Sequence, residues 1–192
     1  QKYPNSLLIF SWENQWNKIV QTLEHSHHTN AYPKLDHNND LLIDNWLLEN
    51  GLPDGSFINL GQIANKRFPD LYSSVDMALF PNRCEPGTNL VAMEAMAMGI
   101  PCIISANTGH LDIICNETCY ALLNQKDVKS FHPYNYVDGW GEASIDEILD
   151  HMEKLYFDQE AAQTIGENAS NAMKKYSWDN QIEKLLDAVD DL

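Results

Sequence analysis

Apolar runs alternate with polar, turn-forming stretches along this chain and divide it into short strands and longer helices. Val75 to Phe80 is an apolar run with the signature of a strand buried on both faces, Leu7-Leu8-Ile9-Phe10 reads as a buried strand, and Ser56-Phe57-Ile58-Asn59-Leu60 as a further strand. Ile100 to Ser105 and Tyr120-Ala121-Leu122-Leu123 complete the set, with Ala31 to Leu35 as a weaker strand. Helical patterns lie between them. One runs from a cap at Ser11 or Asn14 to about Leu23, and one from Asn39 through Leu41, Leu42, Trp46, Leu47 and Leu48 to Gly51. Residues 69–74 and 111–114 form shorter helices. Segment 124–141, with Pro133, Gly139 and Gly141, is predicted as a long loop carrying Phe131, Tyr134, Tyr136 and Trp140. Beyond it the pattern is helical throughout, roughly 143–157, 159–175 and 178–190, the last capped by Ser177. This order predicts an α/β fold built on a doubly wound, Rossmann-like parallel sheet. One domain over 1–192 is expected, with an α/β core to about 142 and a helical segment over 143–192.

The pattern is densest over residues 79–112. Phe80 and Pro81 end a strand, and Asn82-Arg83-Cys84-Glu85-Pro86-Gly87-Thr88-Asn89 forms a loop. Thr88 or Asn89 caps a helix starting near Leu90, which Gly99 stops and Pro101 prevents from resuming. Leu90 to Met98 is apolar on every side except at Glu94, so the helix is predicted to be buried and Glu94 to need specific partners. Arg83 or the hydroxyl groups of a ligand can supply them. The helix N-terminus lies between Glu85 and Glu94, and its unpaired N–H groups suit a phosphate. Glu94 lies about five residues into the helix, roughly 7 Å along its axis. A ligand with phosphate in the middle and a diol at each end fits this layout, and a nucleotide sugar is such a ligand.

These residues resemble the donor-binding core of retaining GT-B glycosyltransferases of the glycosyl transferases group 1 type, whose members act in sucrose, glycogen and lipopolysaccharide synthesis. Glu94-Ala95-Met96-Ala97-Met98-Gly99-Ile100-Pro101 matches the family pattern residue by residue, and Thr108-Gly109-His110-Leu111-Asp112 stands where its glycine loop and acid belong. The resemblance implies that Glu85 bonds hydroxyls of the transferred sugar and Glu94 the ribose diol. Backbone N–H groups of Thr88, Asn89 and Leu90, in the loop with Pro86 and Gly87, would hold the diphosphate. Gly109 and His110 would approach the donor, and Gln62, Ile63 and Asn65 the base. Two departures are visible. Eight residues separate Glu85 from Glu94 where the family has seven. The Gly-Arg and later Lys that clamp the diphosphate are replaced by Ser11-Trp12-Glu13-Asn14-Gln15-Trp16-Asn17-Lys18, leaving Lys18 and Arg83 as replacements. The resemblance implies transfer with retention and without a metal. It covers only the C-terminal half of a two-domain enzyme, so a separate N-terminal, acceptor-binding domain is expected as partner and little transfer from this chain alone. A non-catalytic Rossmann-like module that binds a nucleotide or a partner, and one half of a nucleotide-sugar epimerase, are the alternatives.

Charge narrows the ligand further. Twelve basic against 28 acidic residues give a formal charge of −16, which argues against nucleic acid and anionic membranes as partners. Positive potential for an anionic donor must therefore be local. No stretch is long and apolar enough to span a membrane. Cys84, Cys102, Cys115 and Cys119 show no metal spacing and read as reduced thiols of a cytoplasmic protein. His25, His27 and His28 read as an exposed polar turn, and Trp12 with Trp16, four apart, as core packing or a buried interface. The sequons at Asn116 and Asn168 read as chance matches. The chain opens on Gln1 with no leader pattern, so a fragment is expected.

Overall fold

The computed structural model describes residues 3–12, 20, 23, 28–130 and 136–190. The chain divides into two compact units, Gln1–Phe68 and Pro69–Leu192, and the helices predicted for 143–192 belong to the second.

In the first unit, β1 (Leu8–Phe10) pairs in parallel with β2 (Phe57–Asn59), Ile9 opposite Ile58. Helix α1 (Ile43–Glu49) sets Ile43 and Leu47 against Phe10, and Leu41, Trp46, Leu52 and Phe57 close around them. Gly51 ends the helix in the left-handed region, as its position in the sequence requires. Two expectations fail here for one reason. The Asp36 carboxylate accepts the N–H groups of Asn38 and Asp40, each at 2.8 Å, and folds 36–40 into a tight turn with Asn39 at φ +69°. Asn39 therefore cannot cap a helix, and α1 begins at Ile43. The weak strand at 31–35 is reduced to a single antiparallel bridge between Leu35 and Leu41. Its upstream end is held instead by side chains of α1, with Trp46 Nε1 donating to the Ala31 carbonyl at 2.7 Å. The helix predicted up to about Leu23 falls mostly outside the described residues, as do Trp16, His25 and His27. Trp12 is half exposed and stacks on Phe10 with ring centroids 4.4 Å apart.

The second unit opens with α2 (Phe68–Tyr72), which begins at the boundary, and centres on a parallel sheet of order β3-β4-β5 (Ala78–Phe80, Cys102–Ser105, Tyr120–Leu122). Leu79 faces Ile103, and Ile104 faces Ala121. Every residue of β4 is buried, as expected of a central parallel strand. Helices α3 (Leu90–Ala97), α4 (Ile145–Phe157) and α5 (Gln159–Met173) flank this sheet. Ile103, Leu122, Leu155 and Ala162 form its core, with Met77, Tyr120, Ala143 and Ile148 packed on them. Helix α6 (Trp178–Asp190) follows, with no buried residue of its own. Parallel sheets flanked by helices make the chain an α/β, Rossmann-like protein. The predicted loop over 124–141 is in part a sheet: β6 (Gln125–Asp127) and β7 (Gly141–Ala143) pair antiparallel. Polar strands three residues long leave too little apolar alternation to read from sequence.

Gly99 gives α3 its end. It takes φ +77°, the Gly99 N–H donates to the Met96 carbonyl, and the Ile100 N–H reaches back to the Ala95 carbonyl, the paired bonds of a Schellman motif. On the same spot α5 crosses at Gly166, where a Cβ would overlap the Gly99 carbonyl. Helix α3 is thus clamped between β4 and α5. It is not buried on every side, which corrects the expectation from its composition. Ala92, Ala95 and Met96 face inward, whereas Leu90, Val91 and Met98 are exposed. A helix that is apolar all round carries no signal of direction, so only packing decides which side is covered.

Candidate functional site

The site is built on the loop between β3 and α3, with the loop after β4 packed beneath it. Asn89 is the N-cap: its Oδ1 accepts the Ala92 N–H at 3.0 Å. That bond fixes the amide, so the Asn89 Nδ2 points at His110 Nε2, 3.1 Å away. His110 Nδ1 lies 3.0 Å from the Ser105 carbonyl, which can only accept. The imidazole is therefore neutral, with its proton on Nδ1. Burial, the largest influence, holds its pKa below the ordinary histidine range, against the Ser105 hydrogen bond and the charge of Glu85, which both raise it.

The two loops are joined through their backbones. The Glu85 N–H donates to Thr108 Oγ1 at 2.7 Å, and the Gly109 N–H donates to the Glu85 carbonyl at 3.0 Å. A Cβ at position 109 would overlap the Gly87 carbonyl, so the approach requires glycine. Thr108 itself takes φ +41°, an uncommon conformation for a β-branched residue, and its hydroxyl bonds hold it there. Asn107, almost fully buried, directs its Nδ2 at the Asn82 carbonyl, Gln125 Oε1 and the Gly141 carbonyl, at 3.0, 3.0 and 3.2 Å. One side chain thus ties the exit of β3 to both strands of the β6–β7 pair.

The candidate residues fall into place as follows. Glu85 is half-buried, and its Oε2 accepts from Asn82 Nδ2 at 3.3 Å. Pro86 and Gly87 are exposed, and Thr88 is half-buried. Among the described residues nothing takes the N–H groups of Thr88, Asn89, Leu90 or Val91. Glu94 is half-buried, one turn into α3, and its charge adds to burial in pushing the neighbouring Tyr72 hydroxyl up to about 12. That hydroxyl donates to the Val91 carbonyl at 3.2 Å. Arg83 does not reach Glu94 by any described ion pair; its Nη2 pairs with Glu142 Oε1 at 2.8 Å, and both side chains are partly exposed. His110 is fully enclosed, with both ring nitrogens engaged, so it supports the loop and does not face a ligand. Gly109 likewise serves the contact between the loops. Gln62, Ile63 and Asn65 follow β2 in the first unit, where the Ser11 hydroxyl donates to the Gly61 carbonyl at 2.6 Å. Lys18 lies outside the described residues.

Asn82, Asn107, Gln125 and Glu142 are the residues that sequence reasoning missed. Only Asn107 left a trace, as the asparagine two residues after a buried strand and just before Thr108-Gly109. Among the described residues no group of three or more His, Cys, Asp or Glu side chains is placed to hold a metal. Nor is any helix among them long and apolar enough to cross a membrane. The four thiols are unbridged, and burial pushes those of Cys102 and Cys119 up.

Solved structures share the fold. A sucrose-phosphate synthase from Thermosynechococcus elongatus superposes with a TM-score of 0.58 over 77% of this chain and 33% of its own, at 24% identity. The C-terminal domain of a glycosyl transferase group 1 family protein from Francisella tularensis gives 0.52 over 71% of this chain and 61% of its own, also at 24% identity. At that identity the likeness is one of fold. In sequence, an uncharacterized glycosyltransferase of Methanocaldococcus jannaschii is 31% identical over 122 residues, 63% of this chain and 27% of that protein. The chain therefore spans about a quarter of the length of this curated relative. Residues 37–132, half of the chain and including both loops that follow β3 and β4, match the family of glycosyl transferases group 1. The chain belongs to that family.

Proposed function

We propose that this chain is the donor-binding part of a glycosyltransferase that moves a sugar from a nucleoside diphosphate sugar to an acceptor, with retention at the anomeric carbon. The observation that carries this reading is the first turn of α3. Among the described residues its N–H groups at Leu90 and Val91 are left open while Asn89 caps Ala92, and Glu85 and Glu94 stand on either side of it in the chain. A diphosphate fits such a turn because unpaired N–H groups and the helix dipole favour negative charge. As the glycosidic bond breaks, charge grows on the diphosphate oxygen, and donors already aimed there stabilise it without reorganising. Glu85 would orient the sugar through its hydroxyls and Glu94 would hold the ribose diol, each by charge-assisted hydrogen bonds of roughly 1.5–3 kcal/mol. No metal is needed in this scheme. An acceptor-binding domain outside these residues would complete the active site, and the four free thiols suit a reducing cytoplasm.

One observation favours the non-catalytic alternative. Arg83, the described candidate for the diphosphate clamp, is already paired with Glu142. Calorimetric titration with UDP, GDP, ADP and CDP, without added metal, tests the reading. Binding of one nucleotide that is lost in Glu94→Ala, with the fold retained, supports a donor site and names the base. Absence of binding both here and in a longer form of the protein overturns it.

A further inference from the structure

Resting on that reading, we propose that His110 is a positioning residue of the diphosphate site, acting through Asn89 on the first turn of α3. The hydrogen bonds run in one direction from sheet to helix. The Ser105 carbonyl, at the end of β4, accepts from His110 Nδ1; His110 Nε2 accepts from Asn89 Nδ2; Asn89 Oδ1 accepts from the Ala92 N–H. Distances are 3.0, 3.1 and 3.0 Å. Ser105 and His110 are wholly buried and Asn89 nearly so, so water does not compete for these bonds.

The consequence is a cap with one orientation. Asn89 carries an oxygen and a nitrogen that fit the same space, and an N-cap alone would keep the oxygen on any N–H of the first turn. His110 presents only a lone pair to it, so the nitrogen must face the ring and the oxygen must stay on Ala92. Leu90 and Val91, the two positions nearest the loop, keep their N–H groups for a ligand. Without the ring acceptor the amide loses its buried partner, and the side chain is free to close on the N–H groups that the diphosphate would use. His110 thereby acts on the ligand without touching it.

A double-mutant cycle read by nucleotide titration and by amide exchange tests this. His110→Leu removes both ring bonds, His110→Gln supplies one donor and one acceptor in their place, and Asn89→Ser keeps a capping oxygen but removes the donor to the ring. Against the nucleotide of the UDP, GDP, ADP and CDP panel that binds, His110→Leu and Asn89→Ser are each expected to weaken affinity about fivefold to tenfold. The double variant should be no weaker than either single one, and His110→Gln should recover most of the loss. In the absence of nucleotide, the Ala92 amide should exchange faster in His110→Leu than in the parent, with protection of β4 unchanged. Additive losses in the cycle, or wild-type affinity in both single variants, would overturn the proposal. If no nucleotide binds the parent chain, the donor-site reading fails, and the Ala92 amide still decides: unchanged protection in His110→Leu sinks the coupling. Should His110→Leu not fold, Asn89→Ser and His110→Gln carry the comparison.

Discussion

Asn89 and His110, 21 positions apart in the chain, meet side chain to side chain at 3.1 Å where the first turn of α3 is capped. Neither residue alone announces this. An asparagine before a helix reads as a cap, and a histidine after a glycine reads as a ligand group. Together they make a buried, directional link between the end of β4 and the start of α3.

That link adds one contribution to the response of the protein to acid. Burial lowers the His110 pKa below 6.5, so the unfolded chain takes up this proton more readily than the folded one. The stabilising contribution of the neutral ring is therefore complete above 6.5 and is lost as pH falls through the lower, folded value. Glu85, the charged group facing the ring, tempers the loss without reversing it. Denaturant unfolding from pH 5 to pH 8 should show stability declining on the acid side, and less steeply in His110→Gln. Parallel profiles for the two proteins would contradict this assignment.

Gly109 and Gly87 make a paired test of the loop contact. A Cβ on Gly109 overlaps the Gly87 carbonyl, a backbone atom that cannot step aside, whereas a Cβ on Gly87 meets nothing within 4 Å. Gly109→Ala should cost about 3 kcal/mol or more, at the upper end of overpacking. Gly87→Ala should change stability by less than about 0.5 kcal/mol. Thermal or chemical denaturation of the two variants checks both, and equal effects would show that the loops are not in contact.

The crossing of α3 and α5 is equally sharp. Gly166→Ala brings a methyl group onto the Gly99 carbonyl, so the usual gain of about 1 kcal/mol from replacing a helical glycine should be reversed into a net loss of about 1–2 kcal/mol. Gly99→Ala finds room, with its nearest neighbour at 3.7 Å, but must take φ +77°, a cost of roughly 1–2 kcal/mol. A stabilised Gly166→Ala protein would mean that the helices stand further apart.

Arg83 and Glu142 offer a test in which the two partners' variants have opposite effects on binding. The pair is 2.8 Å apart but 43% and 38% exposed, so Glu142→Gln should alter stability by less than about 0.5 kcal/mol. If Arg83 serves the diphosphate, the same change releases it and tightens nucleotide binding, while Arg83→Ala weakens it. Calorimetry on both variants reads the difference. Equal affinities in the parent and both variants would remove Arg83 from the site.

The alternation of apolar runs and helical patterns carried the α/β order, and Gly99 with Pro101 marked the end of α3 correctly. These are local effects, since a strand of buried β-branched residues and a glycine stop depend on neighbours in the chain. The turn at 36–40 was lost because Asp36 satisfies two backbone N–H groups from its side chain, a competition that periodicity does not register. The β6–β7 pair was lost because its strands are short and polar.

At the site, the sequence by itself determined that an acidic loop, a capped helix start and a glycine loop follow one another around the buried strand β4, whereas β3, expected to be buried on both faces, leaves Leu79 exposed. Only tertiary structure decided what each residue does there. Gly109 is a glycine because another backbone lies against it, and His110 faces inward because Ser105 and Asn89 take both its nitrogens. Arg83 pairs with Glu142, which is 59 positions away and has no local signature. Caps and stops are settled within one turn of chain, whereas the roles of buried polar groups depend on which distant partners packing brings within 3 Å or so.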